Sequence, residues 1–280
     1  MQLFLLTVLT MCAFAANSVL NRLAVGAGLS DPLVFAVIRL AAGAVTLAVL
    51  IGLRRALRGG LVWPDRRGRA VGALSLLVYL FGFSLAYVVL DAGVGALILF
   101  GSVQITMFAG ALWAREAVPP RRWAGAVLAF AGLVWLMAPG GAVGSALHAG
   151  LMALAGIGWG IYSLAGRGQP DALAATGWNF VLALPLGAAA LVWAAPMATA
   201  QGIWLAVLSG AVSSGLGYAL WYTVLPRLGA ARAAVAQLTV PVIALLAGVI
   251  LLDEAVGLRV ALAAAVVLAG VALAAWPARR

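Results

Sequence analysis

The chain has 280 residues, of which 66% are hydrophobic and only 9% carry a charge. A water-soluble domain of this length needs a charged exterior, so the composition excludes a soluble enzyme or binding module. The net charge of +10 comes from seventeen arginines against seven acidic residues. These arginines cluster between apolar stretches rather than in one patch, which argues against nucleic acid as a partner.

Ten apolar stretches, each long enough to cross a hydrocarbon core of about 30 Å, follow one another along the chain. They cover residues 3–24, 32–53, 69–90, 93–114, 123–139, 148–166, 172–194, 202–225, 233–252 and 258–276. Runs such as 97–100 are apolar on every side, whereas strands of a membrane barrel alternate apolar and polar residues. The sequence therefore predicts an all-α membrane protein with ten transmembrane helices. The longest connection, 54–68, is too short for a folded domain, so we expect function to lie within the membrane.

The arginines also predict the orientation of the chain. If both termini are cytoplasmic and the chain crosses ten times, fourteen of the seventeen arginines fall on the cytoplasmic side, as the positive-inside rule expects. The fourteen are Arg54, Arg55, Arg58, Arg66, Arg67, Arg69, Arg115, Arg121, Arg122, Arg167, Arg227, Arg232, Arg279 and Arg280. We therefore predict a multi-pass protein of a bacterial inner membrane with cytoplasmic N- and C-termini.

The two halves of the chain resemble each other weakly. Glu116-Ala117-Val118 recurs as Glu254-Ala255-Val256, and an Ala-Gly pair precedes each copy at the same distance, with a constant shift of 138 residues. We therefore predict two five-helix repeats, residues 1–140 and 141–280. Because five is an odd number, the second repeat enters the membrane from the opposite side. Inverted repeats of this kind are a recurring architecture of secondary transporters, with the substrate site at the repeat interface.

Short motifs along the whole chain make it similar to the drug/metabolite transporter superfamily, of the ten-helix EamA exporter type. They are Val37-Ile38-Arg39-Leu40, Arg115-Glu116-Ala117-Val118, Trp159-Gly160, Pro241 and Leu252-Asp253-Glu254-Ala255. The resemblance implies ten helices and export of amino acids, metabolites or drugs, and it is closest to the bacterial exporters of aromatic amino acids. The chain departs from the pattern at Ala15-Ala16, where Trp-Gly is common, and at Val103, where the second half has proline.

Charged residues are almost absent from the interior of the predicted spans. Arg39 lies well inside one, about two turns from its outer end. An ionisable group at this depth is costly and is functional by default, so one interpretation makes Arg39 the anchor of a substrate carboxylate. The other makes it structural, reaching the interface or helix-end carbonyls. The acidic residues and the one histidine, His148, fall at span ends. Without a buried proton relay, we predict a facilitator or unconventional coupling.

Neutral amides and aromatic rings supply the candidate substrate site. Buried amides are costly, and several rings lie deeper than the interfacial belt, at spacings of three or four residues that place them on single helix faces. The predicted substrate-binding residues are Asn17, Tyr79, Tyr87, Gln104, Trp159, Tyr162, Tyr218, Trp221 and Tyr222. A ring-lined neutral cavity suits an amphipathic solute with an aromatic body. The alternative for each ring is packing against neighbouring helices or lipid.

Other functional classes fit the sequence less well. An intramembrane enzyme needs a nucleophile with a base or a metal site, so we predict no enzyme, no metal and no cofactor. An ion channel needs charged rings or a carbonyl filter. We predict alternating-access export of small amphipathic solutes, with the substrate and the lipid bilayer as partners. Aromatic amino acids are the leading substrates and lipophilic cationic drugs are the runner-up. A non-transporting scaffold or lipid-handling protein is the alternative of another class.

Overall fold

The structure is a computed structural model, and it describes residues 1–59, 69–116, 118–138, 145–167, 169–194 and 197–275. Within these ranges every regular element is a helix. The α-helices are α1 Gln2–Asn21, α2 Pro32–Arg58, α3 Arg69–Ala86, α4 Ala92–Trp113, α5 Pro120–Met137, α6 Ala146–Gly166, α7 Ala172–Ala189, α8 Ala200–Leu208, α9 Gly217–Gln237, α10 Thr239–Leu252 and α11 Leu258–Ala275.

Three of these α-helices are extended by turns of another helix type. A π-helical turn, Arg22–Gly26, continues α1, and a 3₁₀ turn, Ala190–Trp193, continues α7. A π-helix, Ser209–Leu216, joins α8 to α9 without a break. The α8–α9 segment is therefore one long helical rod with a widened turn in its middle.

Eight helices of the described part of the chain are long and apolar enough to cross a membrane. They are Gln2–Gly26, Pro32–Leu57, Arg69–Ala86, Ala92–Trp113, Ala146–Gly166, Ala172–Trp193, Ala200–Leu228 and Leu258–Ala275. The predicted spans 123–139 and 233–252 correspond to α5, which begins with two arginines, and to α10, a shorter apolar helix of 14 residues. The all-helical membrane fold is thus confirmed, while ten crossings and cytoplasmic termini stay predictions.

Side chains at the connections fix where several helices begin. Asp31 caps α2 by accepting hydrogen bonds from the N–H groups of Leu33 (2.8 Å) and Val34 (3.2 Å). Asp171 caps α7 through the N–H of Ala174 at 3.0 Å. Each carboxylate satisfies N–H groups that have no partner inside the helix. The acidic residues at span ends therefore include helix caps.

Helices α5 and α11 approach each other through glycines. A Cβ atom added to Gly132 would lie 3.1 Å from the Val267 nitrogen, and one added to Gly270 would lie 2.5 Å from the Ala129 nitrogen. Gly270 and Val267 follow Gly132 and Ala129 by 138 residues. The two contacts are therefore reciprocal, which is the pattern that a two-fold axis produces.

Candidate functional site

Five of the residues singled out from the sequence line one cavity, which we call the central cavity. They are Asn17, Arg39, Tyr79, Trp159 and Tyr218. The remaining lining residues are Phe14, Ser18, Phe83, Leu99, Phe100 and Ser213. These residues come from both halves of the sequence, so this central cavity lies where the halves meet.

Arg39 is the most deeply buried charge of the central cavity, with 1% of the residue exposed. Its Nε donates to Ser214 Oγ at 3.1 Å, and its Nη2 donates to the Tyr79 hydroxyl at 2.7 Å. The guanidinium carbon lies 5.1 Å from the ring centroids of both Tyr79 and Phe83, which is within cation–π range. These contacts hold the guanidinium in one orientation.

The same guanidinium has unused binding capacity. Its Nη1 has no hydrogen-bond partner, and Arg39 is in none of the ion pairs found among the described residues. Two further buried polar atoms on this cavity, Ser213 Oγ and the Tyr218 hydroxyl, also lack a partner. Burying an unpaired charge and unpaired hydroxyls is costly. Three such groups around one space indicate a site for an oxygen-rich anionic group.

A hydrogen-bond network connects the cavity wall across the halves. Asn17 Nδ2 donates to the Tyr79 hydroxyl at 3.0 Å, and Asn17 Oδ1 accepts from Ser209 Oγ at 2.6 Å. One helical turn further, Asn21 Nδ2 donates to Ser84 Oγ at 2.9 Å. This network ties α1, α3 and the π-helix together. The Tyr79 hydroxyl, which accepts the hydrogen bond from Arg39 Nη2, is therefore fixed in place.

The π-helix supplies the serines of the site. Ser209, Ser213 and Ser214 all lie in the π-helix Ser209–Leu216, which has more residues per turn than an α-helix and so shifts side chains from their regular α-helical positions. One of these serines binds Asn17 and another binds Arg39. The sequence analysis missed these serines as site residues, because a π-helix has no reliable sequence signature. Phe14 and Phe83 were missed as well, since a phenylalanine on an apolar helix gives no signal of its own.

Trp159 separates two regions of the protein. Its ring centroid lies 5.0 Å from that of Tyr79 and 5.1 Å from that of Tyr218, so it forms one wall of the central cavity. On its other side it stacks on Tyr162, at 5.3 Å and an interplanar angle of 16°. A Cβ atom on the neighbouring Gly158 would lie 2.9 Å from the Tyr79 nitrogen. This close approach of α6 to α3 brings the Trp159 indole against Tyr79, while Tyr162 stacks on the same indole.

Tyr162 and Tyr222 line a second cavity of about 370 Å³, together with polar residues of α3 and α7. The Tyr162 hydroxyl donates to Thr176 Oγ1 at 3.0 Å, and Thr176 Oγ1 donates to the Tyr222 hydroxyl at 3.0 Å. Arg69 and Gln169 lie on the wall of this cavity. The second cavity is thus on the arginine-rich side of Trp159.

The structure places three of the predicted residues away from both cavities. The Tyr87 hydroxyl donates to the Ala92 carbonyl at 3.1 Å, at the junction of α3 and α4. Trp221 packs edge-on against Phe14 with ring centroids 6.0 Å apart. Gln104 lines a separate space of about 250 Å³ next to Pro241.

Comparisons with known proteins agree with this fold. The model of the EamA-like transporter family matches residues 147–276. An uncharacterized protein of Pseudomonas aeruginosa is 45% identical over 271 residues, which cover 96% of this chain and 93% of that protein. An uncharacterized transporter of Archaeoglobus fulgidus is 27% identical over 253 residues, which cover 86% of this chain and 87% of that protein.

A solved crystal structure matches the fold over almost the whole chain. Its TM-score is 0.68 at 21% sequence identity, with 96% of this chain and 97% of that chain covered. The family match and the Pseudomonas relative identify the chain as a member of the EamA-like transporter family within the drug/metabolite transporter superfamily.

Proposed function

We propose that this protein is a transporter that exports small aromatic carboxylates, with aromatic amino acids as the leading substrates, across a bacterial inner membrane. Membership of the EamA-like family and an archaeal relative named as a transporter support transport. The substrate class is supported by one observation above all: Arg39 is buried in a ring-lined cavity with Nη1 unpaired.

The chemistry of the cavity matches both ends of such a solute. A guanidinium binds a carboxylate through charge-assisted hydrogen bonds, and these are strongest where water is excluded. The Ser213 and Tyr218 hydroxyls lie on the same wall and can donate to the second oxygen. Trp159 and Phe100 offer ring faces to the apolar body of the solute. We assign substrate binding to the central cavity.

Lipophilic cations fit the same cavity less well. Aromatic rings attract cations through their faces, but the Arg39 guanidinium already lies 5.1 Å from the Tyr79 and Phe83 centroids. A second cation in this low-dielectric space would be repelled by Arg39. A lipophilic cation would therefore have to bind against a fixed positive charge, whereas a carboxylate is attracted by that charge.

Alternating access is the mechanism we propose, with residues 1–140 and 141–280 as the two inverted repeats. The reciprocal contacts of Gly132 and Gly270 support it, as does a cavity built from both halves. The second cavity, beyond Trp159, would then lie on the path between the central cavity and the cytoplasm. We assign Tyr162 and Tyr222 to that path. Tyr87, Gln104 and Trp221 brace the helices around it.

Counterflow in proteoliposomes tests this proposal. Liposomes loaded with unlabelled tryptophan are diluted into labelled tryptophan, indole-3-propionate or tryptamine, so that the three probes differ in their carboxylate and amine groups. We expect accumulation of the first two probes and not of tryptamine. Preferential accumulation of tryptamine would favour the lipophilic-cation function. If proteoliposomes accumulated none of the three probes above the level of protein-free liposomes, transport would be rejected.

Replacing Trp159 with alanine is expected to slow tryptophan counterflow about tenfold, because ring contacts of about 0.5–1.5 kcal/mol each are lost on the cavity wall. Trp204 is the matched control, since it is another helix tryptophan but is 67% exposed on the outside of the bundle. Initial counterflow rates of W159A and W204A at equal reconstituted amounts measure the effect. Equal rates in the two variants would remove Trp159 from the site.

A further inference from the structure

Three of the ion pairs among the described residues join the halves of the chain. One of them, Arg54–Asp171, ties α2 to the start of α7 at the arginine-rich end. The other two lie at opposite ends of the bundle. At the arginine-rich end, Arg167 Nη1 lies 3.6 Å from Glu116 Oε1. At the other end, which we call the distal end, Arg22 Nε lies 3.5 Å from Glu254 Oε1. In both pairs one residue comes from the first half and its partner from the second.

The two pairs are counterparts under the internal repeat. Glu254 follows Glu116 by 138 residues, and each glutamate comes directly after a left-handed residue, Arg115 with φ 53° or Asp253 with φ 54°. The two arginines occupy similar places, since Arg22 and Arg167 are the C-cap residues of α1 and α6, the first helices of their halves, although they are 145 residues apart rather than 138. One local design therefore occurs twice, once at each end.

The two pairs are closed to different degrees. At the distal end the Glu254 side chain is 9% exposed and that of Arg22 is 24% exposed, whereas Glu116 and Arg167 are 45% and 50% exposed. Both Glu254 carboxylate oxygens also accept from the Ala92 N–H at 2.9 Å, at the start of α4. Of these two pairs, only the distal one is sealed into the protein. The more buried ion pair at the arginine-rich end is Arg54–Asp171, whose side chains are 32% and 13% exposed.

Burial and neighbouring groups act on the distal pair in opposite directions. Burial raises the pKa of Glu254, and the Asp91 carboxylate adds to this effect, although the Ala92 N–H and Arg22 act in the opposite direction. The cost of burying the carboxylate thus exceeds what its partners return. Arg22 has other acceptors close by, since its Nη1 donates to the carbonyls of Tyr87 (3.2 Å) and Val88 (3.1 Å).

We propose that Arg22–Glu254 and Arg167–Glu116 are the two gate latches of the transport cycle, closed in alternation at opposite faces of the membrane. This inference rests on the proposed alternating access. The structure has the distal latch sealed and the arginine-rich latch exposed. In the opposite state the Arg167–Glu116 pair becomes buried, and the Arg22–Glu254 pair separates.

Thiol labelling of the central cavity tests the latches without any substrate. Ser213→Cys in a Cys12→Ala background places one thiol on the cavity wall, and a membrane-impermeant maleimide is applied to right-side-out or inside-out vesicles. Glu254→Gln removes the charge and keeps an oxygen for the Ala92 N–H, and Glu116→Gln is its counterpart. We expect E254Q to raise labelling from one face and E116Q from the other face, each roughly tenfold, the change that ~1.4 kcal/mol produces.

Two further variants distinguish a latch from general loosening. Arg22→Gln should act like E254Q, whereas Arg259→Gln removes an arginine at the same end whose partners are the Trp135 and Ala138 carbonyls, and it should leave labelling unchanged. Gel filtration identifies variants that fail to fold. Unchanged labelling in folded E254Q and R22Q, or increases from one shared face in E254Q and E116Q, would overturn the latches. Tryptophan counterflow by the unsubstituted protein would meanwhile leave the proposed function standing.

Discussion

Replacing Arg39 with glutamine is expected to weaken tryptophan binding roughly 30- to 4,000-fold, the range found when one member of a buried charge pair is truncated. Glutamine keeps a polar group near Tyr79 and Ser214 but removes the charge and the unpaired Nη1. In a cavity that excludes water, the substrate carboxylate would then be buried without a counter-charge. Equilibrium binding of labelled tryptophan to the purified protein measures this directly, and counterflow should fall in parallel.

Arg54 provides the matched control for this experiment, because it lies on the same helix, α2. It forms an ion pair with Asp171 at the arginine-rich end, with its Nη1 3.1 Å from Oδ1, outside the central cavity. Arg54→Gln should leave tryptophan affinity within about twofold, since a partly exposed pair contributes little. Arg39→Lys should retain part of the affinity, because it keeps the charge and loses the guanidinium fork. Wild-type affinity in folded R39Q would exclude Arg39 as the anchor.

Replacing Gly156 with valine is expected to cause the largest loss of stability of any single change considered. A Cβ atom at this position would lie 2.6 Å from both the Leu99 carbonyl oxygen and the Ser102 Cβ, and both belong to α4. A backbone carbonyl cannot move aside as a side chain does, so α4 and α6 must separate. Overpacking of this kind costs about 1–3 kcal/mol or more in free energy of unfolding.

Gly150→Val separates this contact from the general effect of valine in a helix. Gly150 lies in the same helix, α6, and a Cβ atom there would meet nothing within 4 Å. Both variants change helix propensity in the same way, so the difference between their melting temperatures reports the α4–α6 contact. We expect a clear drop for G156V and almost none for G150V. Equal drops would mean that this glycine does not limit the approach of the helices.

The helices were predictable because segments that are apolar on every side satisfy their backbone in lipid as helices, whereas barrel strands would alternate apolar and polar residues. The number of crossings was harder to predict. Helix α5 has two arginines in its first turn and α10 has only 14 residues, so hydropathy alone does not decide whether either helix crosses the membrane. Arg39 was also visible from the sequence, since a buried charge stands out among apolar residues. What the sequence could not decide was whether Arg39 has a partner. That depends on the positions of Tyr79 and Ser214, which are 40 and 175 residues away.

The aromatic residues show where sequence reasoning about the site ends. Spacing placed Trp159 and Tyr162 on one helix face, and their rings do stack. Spacing does not say that one of them would line the central cavity and the other the second cavity, because this depends on how α6 is rotated against its neighbours. Tyr87 was also predicted to lie deep within its membrane span, but it lies at a helix junction, where its hydroxyl donates to a backbone carbonyl.

The glycine contacts between α5 and α11 determine which part of the protein can move. At Gly270 the two main chains approach each other directly, because a Cβ atom there would lie 2.5 Å from the Ala129 nitrogen and 2.7 Å from the Gly125 carbonyl oxygen. Side chains can change rotamer to let two helices slide, but main-chain atoms in contact have no such freedom. Under the alternating access proposed above, this pair of helices would stay fixed during the transport cycle. The motion would then belong to the helices that surround the central cavity.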